Sequence, residues 1–281
     1  YADFAVFYRT NAQSRIIEDT FLRAGVPYRL VGGTRFFDRA EIRDVMAWVR
    51  AAVNPADVQS LVRVLGKRAG IGKTTIDALR ARSLEQQITL SETIARAAEE
   101  GWIAGAPAKR VAALAEDLAA VRAAHEGPLR ERVEEVVARS GLLSALDAEQ
   151  THEAQGRAEN IREFFGVVQE YDEQHDEPDA RTLDAFLEWA ALRTDLDELE
   201  ADDRAVTLMT LHSAKGLEFP VVFMAGMEEG VLPHIRSFDD AAQMEEERRL
   251  CYVGITRAMK RLYMVRAFRR SMMGSSMVNL P

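Results

Sequence analysis

Residues 206–234 read VTLMTLHSAKGLEFPVVFMAGMEEGVLPH, and this stretch decides the fold. Two apolar runs, Ala205 to Leu211 and Phe219 to Ala225, flank a short polar segment. Apolar runs of this length predict strands that are buried on both faces, as in a parallel sheet. In open α/β sheets, ligand-contacting residues lie at strand ends and in the loops beyond them. The polar segment is therefore a candidate site, with an ordinary surface turn as the alternative.

A similar pattern opens the chain. The apolar run from Asp3 to Tyr8 predicts a strand, and the spacing from Asn11 to Ala24 predicts a helix that ends at Gly25. Tyr28 to Val31 predicts a second strand. This strand, helix, strand order is typical of a parallel α/β layer.

The middle of the chain has a different character. From Asp38 to about Glu198 it is rich in Ala, Leu, Arg and Glu, the strong helix formers, and predicts an all-helical block. The sheet pattern returns at Ala205, with a helix predicted over about 239–257 and a last strand over 261–265. A sheet interrupted by a helical block predicts that one domain is inserted into another.

Composition limits the class of protein. The 281 residues are 47% hydrophobic, enough for one large or two ordinary domains. No apolar run approaches the roughly 20 residues that cross a bilayer, so a cytoplasmic protein is expected. The single cysteine, Cys251, excludes an internal disulfide and predicts a buried thiol rather than a nucleophile. Because the chain starts at Tyr1 within a strand-like run, we expect a fragment of a longer protein.

The charge is unevenly distributed. The net charge of -9 argues at first against a nucleic-acid partner, because phosphate contacts need local Lys and Arg. The end of the chain is nevertheless basic and free of acid, whereas residues 172–203 are dense in Asp and Glu. A basic face and an acidic flank can coexist on one molecule. The basic residues are Lys260, Arg261, Arg266, Arg269 and Arg270.

Four stretches resemble signatures of the UvrD/PcrA-like superfamily 1 DNA helicases, in the family's order. Residues 208–220 (LMTLHSAKGLEFP) resemble its motif V, and residues 246–258 (EERRLCYVGITRA) resemble its motif VI. Residues 8–15 (YRTNAQSR) and 31–44 (VGGTRFFDRAEIRD) resemble two further signatures. The resemblance implies a RecA-like parallel-sheet domain, called 2A, over residues 1–37 and 199–281. A helical domain, 2B, would be inserted over residues 38–198.

Arg257 and Glu218 are candidate nucleotide-binding residues. A guanidinium fork such as that of Arg257 suits a γ-phosphate, because it stays charged and makes paired hydrogen bonds. The alternative is a surface salt bridge to a neighbouring glutamate. By resemblance, Arg257 matches the family's catalytic arginine finger and Glu218 matches the glutamate that contacts the ribose. A solvated loop carboxylate is the alternative for Glu218, and Gly216 is expected to permit the turn that presents it.

Several other residues are candidates for DNA binding. Asn11 is a candidate helix N-cap, and a helix start also directs free N–H groups at a phosphate. Arg35 follows two glycines, where the backbone could approach DNA, and His234 could stack on a base. The resemblance implies single-stranded DNA contacts for Asn11, Arg35 and His234. It also implies that Thr210 and His212 connect the DNA track to the nucleotide cleft; a buried histidine satisfied by backbone is the alternative for His212.

Two further DNA candidates come from the last and middle parts of the chain. Met273 lies where such helicases often carry an aromatic side chain that contacts DNA, so a stacking role is weakened there, although Met can pack on a base edge. Residues 68–75 (RAGIGKTT) end like a P-loop but lack the required first glycine and a preceding apolar strand. They predict a hairpin between helices, where Gly70 and Gly72 expose backbone N–H groups to a phosphate, or a plain turn. The hairpin resembles the helix-hairpin-helix loop with which 2B domains meet duplex DNA.

The resemblance implies an ATP-dependent helicase that translocates 3′ to 5′ on single-stranded DNA in repair or replication. ATP with Mg²⁺ would bind jointly with the missing first RecA-like domain, and no metal cluster is expected within this chain. Alone, the chain should not hydrolyse ATP. Expected partners are single-stranded DNA, its junctions with duplex, the 1A and 1B domains, and repair or transcription proteins meeting 2B, at the bacterial nucleoid and with no membrane. A non-catalytic nucleic-acid or protein-binding module and a helicase-nuclease subunit remain alternatives.

Overall fold

Two compact units make up the chain. The computed structural model describes residues 1–123, 127–175, 177, 181–197, 204–267, 269–272 and 275–278. One unit, the sheet unit, comprises Tyr1–Arg39 and Leu192–Pro281, and the other, the helical unit, comprises Ala40–Ala191. The domain bounds implied by the resemblance, after residues 37 and 198, stay predictions.

The elements follow the predicted alternation of sheet, helical block and sheet. In chain order the strands and helices are β1 (Phe4–Tyr8), α1 (Ser14–Arg23), β2 (Tyr28–Val31), α2 (Ala40–Val53), α3 (Val58–Lys67), α4 (Lys73–Gln86), α5 (Leu90–Arg96), α6 (Ala106–Ala123), α7 (Leu129–Ser140), α8 (Leu142–Glu149), α9 (His152–Gln174), α10 (Leu183–Asp197), β3 (Val206–Thr210), β4 (Phe219–Ala225), α11 (Ala241–Thr256), β5 (Ala258–Val265), β6 (Arg269–Met272) and β7 (Ser275–Val278).

The sheet unit is built on a five-stranded sheet in the order β2-β3-β1-β4-β5, and all four neighbouring pairs are parallel. Its core joins Phe7 of β1, Met209 of β3 and Met224 of β4, each at most 1% exposed. Strands buried on both faces explain why the sequence reads as continuous apolar runs rather than an alternation. The predicted α/β fold with a helical insertion is confirmed.

Two local predictions need correction. The last strand of the sheet begins at Ala258 rather than Arg261, because Ala258 already pairs with Phe219 of β4. Asn11 is not a helix N-cap, since it is the first residue of a 3-10 turn and α1 begins at Ser14. Thr10 is the N-cap of that turn, and the Gln13 Oε1 reaches back to accept the N–H groups of residues 9 and 10 at 2.8 and 3.0 Å, as in a capping box.

The helical unit is organised around α2, whose apolar face includes the fully buried Trp48. This helix packs against α3, α6, α7 and α9. Its buried acids have partners: Glu41 accepts the Asn160 amide at 2.6 Å, and Asp44 pairs with Arg63 at 2.7 Å. The hydrogen bond to Glu41 and the ion pair of Asp44 offset part of the cost of removing these carboxylates from water.

Among the described residues, none of the helices combines the length and the apolar composition needed to cross a membrane.

Candidate nucleotide and nucleic-acid sites

The two candidate nucleotide residues lie side by side at one edge of the sheet. Phe219 and Ala258, the first residues of β4 and β5, are paired in register, so Glu218 and Arg257 both precede paired strands. The Arg257 Nη1 donates to the Leu217 carbonyl at 3.2 Å, and the Phe219 N–H donates to the Arg257 carbonyl at 3.0 Å. Both candidates therefore occupy the amino edge of the parallel sheet.

The Arg257 side chain is held by neutral acceptors. Its Nε donates to the Val253 carbonyl at 3.2 Å and its Nη2 to the Thr256 hydroxyl at 3.0 Å. Within the described parts of the chain Arg257 has no carboxylate partner, so the surface salt bridge considered above is wrong. Arg248 and Arg249 instead take the neighbouring glutamates, at 2.6 and 3.0 Å. The half-buried Arg257 guanidinium is thus held in a fixed orientation without a carboxylate partner among the described residues, which suits an anionic ligand.

The turn before Glu218 depends on Gly216. Its φ of +85° lies in the left-handed region, and a Cβ there would meet nothing within 4 Å. The requirement for glycine is therefore conformational rather than steric. Glu218 itself is exposed, as a residue that binds a ligand's hydroxyls must be.

Three of the candidate DNA residues meet at the opposite, carboxyl edge. β1 and β3 end in register at Tyr8 and Thr210, and β2 ends beside them. Asn11 follows β1, Arg35 follows β2 and Thr210 closes β3. The loops touch: a Cβ on Gly33 would lie 3.7 Å from the Asn11 Oδ1.

Thr210 organises the loop that follows β3. Its Oγ1 accepts the Ser213 N–H at 3.2 Å and lies 3.0 Å from the Ser213 Oγ. His212 is exposed, so the buried histidine considered as an alternative is wrong. The hydroxyl pair fixes the turn and leaves the His212 ring at the surface.

A buried polar network supports the loop that carries Arg35. Arg39, 6% exposed, donates from Nη2 to the Ser14 Oγ at 2.7 Å and lies 3.6 Å from Glu18. Glu18 also accepts the Phe36 N–H at 3.4 Å. Because these contacts join α1 to the residues after Arg35, they hold that loop against the sheet unit. Burial also raises the pKa of the neighbouring Tyr8 hydroxyl well above its usual range, so this tyrosine stays neutral.

His234 is tied to the same edge through an acid on α11. Its N–H donates to the Glu247 Oε2 at 3.0 Å, and its Nδ1 accepts the Arg236 N–H at 3.4 Å. Glu247 in turn pairs with Arg9, the residue that follows β1, at 2.6 Å. The structure therefore brings the His234 loop to the carboxyl end of β1.

Residues 211–218 connect the two edges. β3 and β4 are parallel with β1 between them, so the chain leaving Thr210 at the carboxyl edge must cross to the amino edge to enter β4. Leu211 and Ala214 are buried beneath this crossing, whereas His212 and Glu218 are exposed at its two ends. One packed segment thus joins the candidate DNA and nucleotide residues.

Comparison with known proteins identifies the family. A family model described as the UvrD-like helicase C-terminal domain matches residues 1–268. The chain belongs to this family.

Relatives of this UvrD-like C-terminal domain include two ATP-dependent DNA helicases named PcrA. That of Leuconostoc citreum is 41% identical over 286 residues, and that of Bacillus subtilis (strain 168) is 40% identical over 291 residues. The ATP-dependent DNA helicase UvrD1 of Mycobacterium tuberculosis (strain ATCC 25618 / H37Rv) is 40% identical over 294 residues. These alignments cover 99 to 100% of the chain but 38% of each relative. The chain therefore spans about two fifths of the length of these relatives.

The predicted hairpin of this UvrD-like domain lies between α3 and α4, as its sequence indicates. Gly70 has a φ of +78°, and a Cβ there would lie 1.2 Å from the Nη1 of Arg110 on α6. Gly72 precedes α4, and a Cβ there would meet nothing within 4 Å. The exposed Arg110 side chain thus occupies the space that a side chain at position 70 would need. The local sequence does not reveal this constraint.

One candidate from the sequence gains no geometry from the structure. Met273 lies outside the described residues. Over the described part of this UvrD-like domain, no group of three or more His, Cys, Asp or Glu side chains could hold a metal ion.

Sequence reasoning missed Arg9, Ser213 and Glu247. The signal for Glu247 was available: the buried positions of α11 are Glu247, Leu250 and Gly254, at helical spacing. That periodicity separates Glu247 from Glu245 and Glu246, which are exposed. Arg9 carried no comparable signal, because its partner Glu247 lies 238 positions away. Ser213 bonds Thr210 only three residues away, but a serine in a polar segment does not by itself indicate that contact.

Proposed function

We propose that this chain is the 2A and 2B part of an ATP-dependent DNA helicase that translocates 3′ to 5′ on single-stranded DNA. The observation that carries the proposal is the oriented Arg257 guanidinium, which has no carboxylate partner among the described residues and lies beside Glu218. The relatives named above, of which the chain covers two fifths, are ATP-dependent DNA helicases. In this proposal residues 1–37 and 199–281 form 2A, and residues 38–198 form 2B.

On the nucleotide side, Arg257 acts as the arginine finger. Its fork is positioned to bond the γ-phosphate of ATP and to stabilise the charge that develops as the phosphoryl group is transferred. Glu218 accepts a hydrogen bond from a ribose hydroxyl, and Gly216 shapes the turn that presents it. The exposed Glu218 carboxylate and the Arg257 cation, which has no carboxylate partner in the described parts of the chain, fit a nucleotide that carries both hydroxyls and phosphates. When bound, Mg²⁺ would neutralise phosphate charge, with its ligands in the remainder of the protein.

On the DNA side, Asn11, Arg35, Thr210, His212 and His234 contact single-stranded DNA along the carboxyl edge of the sheet. Their polar side chains and the exposed backbone at Gly32-Gly33 suit phosphate and base contacts. Residues 211–218, which cross from one edge to the other, support communication between this track and the nucleotide. Nucleotide-driven closure against domains 1A and 1B would then move the two DNA grips relative to one another.

On the duplex side, the hairpin with Gly70 and Gly72 contacts duplex DNA. Its exposed backbone and the neighbouring Arg110 suit phosphate contacts that carry no sequence information. Junctions between single-stranded and duplex DNA are therefore the proposed substrate, in repair or replication, with repair or transcription proteins as further partners of 2B.

The test compares the full-length protein with its Arg257→Ala variant. We expect DNA-stimulated ATP hydrolysis by the parent and a loss of at least about 10³-fold in the variant. Arg249→Ala removes an exposed arginine from the same helix and should retain activity. Unwinding should favour a duplex with a 3′ tail over one with a 5′ tail. An inert full-length parent would favour a non-catalytic binding module, and an active Arg257→Ala variant would refute the finger assignment.

A further inference from the structure

Glu247 is a buried acid that the proposed chemistry does not use. It is 4% exposed, although its neighbours Glu245 and Glu246 on α11 are exposed. Its carboxylate accepts both Nε (2.9 Å) and Nη2 (2.6 Å) of Arg9, and its Oε2 also accepts the His234 N–H at 3.0 Å. One carboxylate therefore joins three separate parts of the sheet unit.

These contacts differ in kind from the other ion pairs of α11. Glu245 and Glu246 pair with arginines three residues away on the exposed face, where solvent screens the charges. The Arg9 and Glu247 pair joins residues that are 238 positions apart, and the Arg9 side chain is 21% exposed. Charge-assisted bonds to a buried carboxylate are shorter and stronger than neutral ones. The geometry of Glu247 is thus specified by the fold rather than by local pairing.

α11 carries a candidate residue towards each of its ends. Glu247 holds the backbone of His234 near the carboxyl edge of the sheet, and Arg257 follows the last residue of the helix at the amino edge. The nine residue-to-residue steps from Glu247 to Thr256 correspond to about 14 Å of helix at 1.5 Å per residue. A packed helix transmits a displacement at one end to the other, because its backbone hydrogen bonds resist extension.

We propose that Glu247 is a positioning residue that locks the His234 loop to α11 and thereby couples DNA binding to the Arg257 end of the helix. This inference rests on the proposed helicase function. Glu247 touches neither nucleotide nor DNA in this proposal. It holds His234 in the position that contacts DNA. Because Glu247 joins the His234 loop to α11, a movement of the loop also moves the helix.

The experiment uses the full-length protein and its Glu247→Gln variant. ATP turnover is measured against the concentration of a single-stranded oligodeoxythymidylate. We expect the half-saturating oligonucleotide concentration to rise about tenfold and the ratio of DNA-saturated to DNA-free turnover to fall about fivefold, within the range of typical coupling. Glu246→Gln, the matched control one position earlier, should leave both quantities within about twofold, because its pair is exposed.

Two further measurements separate positioning from folding. A merely structural role would lower the thermal midpoint of Glu247→Gln without changing either quantity for the folded protein. Glu247→Asp retains the charge opposite Arg9, and hence the fold, but is one methylene shorter and should show the same defect more weakly. If both variants match the parent in half-saturation and in stimulation, the inference is wrong while the helicase proposal stands. An inactive parent would instead overturn the proposed function itself.

Discussion

Gly32→Ala should destabilise the carboxyl edge of the sheet, whereas Gly33→Ala should not. Gly32 has a φ of +74°, and a Cβ there would lie 2.6 Å from the Ser213 Oγ and 3.3 Å from the Ser213 Cβ. Gly33 has no positive φ, and its nearest neighbour would be the Asn11 Oδ1 at 3.7 Å, an ordinary contact. Adjacent glycines thus have different reasons for lacking a side chain.

The magnitude follows from three terms. An L-residue in the left-handed region costs about 1–2 kcal/mol. Relief of the contact requires the Ser213 side chain to turn away from the Thr210 Oγ1, at 3.0 Å, which costs about 1 kcal/mol for a lost hydrogen bond. Lower entropy of the unfolded chain returns about 0.4–1 kcal/mol. The net loss is about 2 kcal/mol, or roughly 30-fold in an opening equilibrium.

The assay is hydrogen exchange of the β2 and β3 amides in the full-length protein, followed by mass spectrometry. Gly32→Ala should exchange about 30-fold faster there, and Gly33→Ala should match the parent. Adding Ser213→Ala to Gly32→Ala removes the 2.6 Å contact and leaves the backbone strain. The double variant should therefore be less destabilised than the sum of the two single variants. Parent-like exchange in Gly32→Ala, or equal damage by Gly33→Ala, would refute this reasoning.

Three further predictions follow from single contacts. Arg257→Lys should lower ATP turnover of the full-length protein by about 10³-fold, because an ammonium cannot reproduce the fork; a loss below tenfold would contradict a bidentate role. Gly70→Ala should displace Arg110 and weaken binding to a single-strand/duplex junction in a titration with labelled DNA, whereas Gly72→Ala, with open space around it, should not. Hydrogen bonds from the first turn of α11 hold the pKa of Asp240 below its usual range, so its stabilising effect is present above the unfolded value of about 3.9 and is lost as the pH falls through the folded value. The difference in unfolding free energy between the parent and Asp240→Ala should therefore shrink on acidification, and a constant difference would contradict the cap.

Local elements were predictable to within a few residues. The strands at Tyr28–Val31 and Phe219–Ala225 match the sequence, because apolar runs bounded by glycine or polar turns specify them without distant partners. The cap of the first helix was not predictable in the same way. Thr10 is the N-cap instead of Asn11, and the Gln13 side chain reaches back to its N–H, a geometry that exists only once the 3-10 turn has formed.

The sequence by itself determined the class of fold, the helical insertion and the chemical types of the candidate residues, because periodicity and side-chain chemistry are local properties. Only the tertiary structure decided that β3 lies between β2 and β1, which brings the loops carrying Asn11, Arg35 and Thr210 together at the carboxyl edge. It also decided that Glu247, among three consecutive glutamates, is the buried one. Strand order and the burial of a charge both depend on partners far apart in the chain, as Arg9 and Glu247 are, and no local pattern specifies such partners.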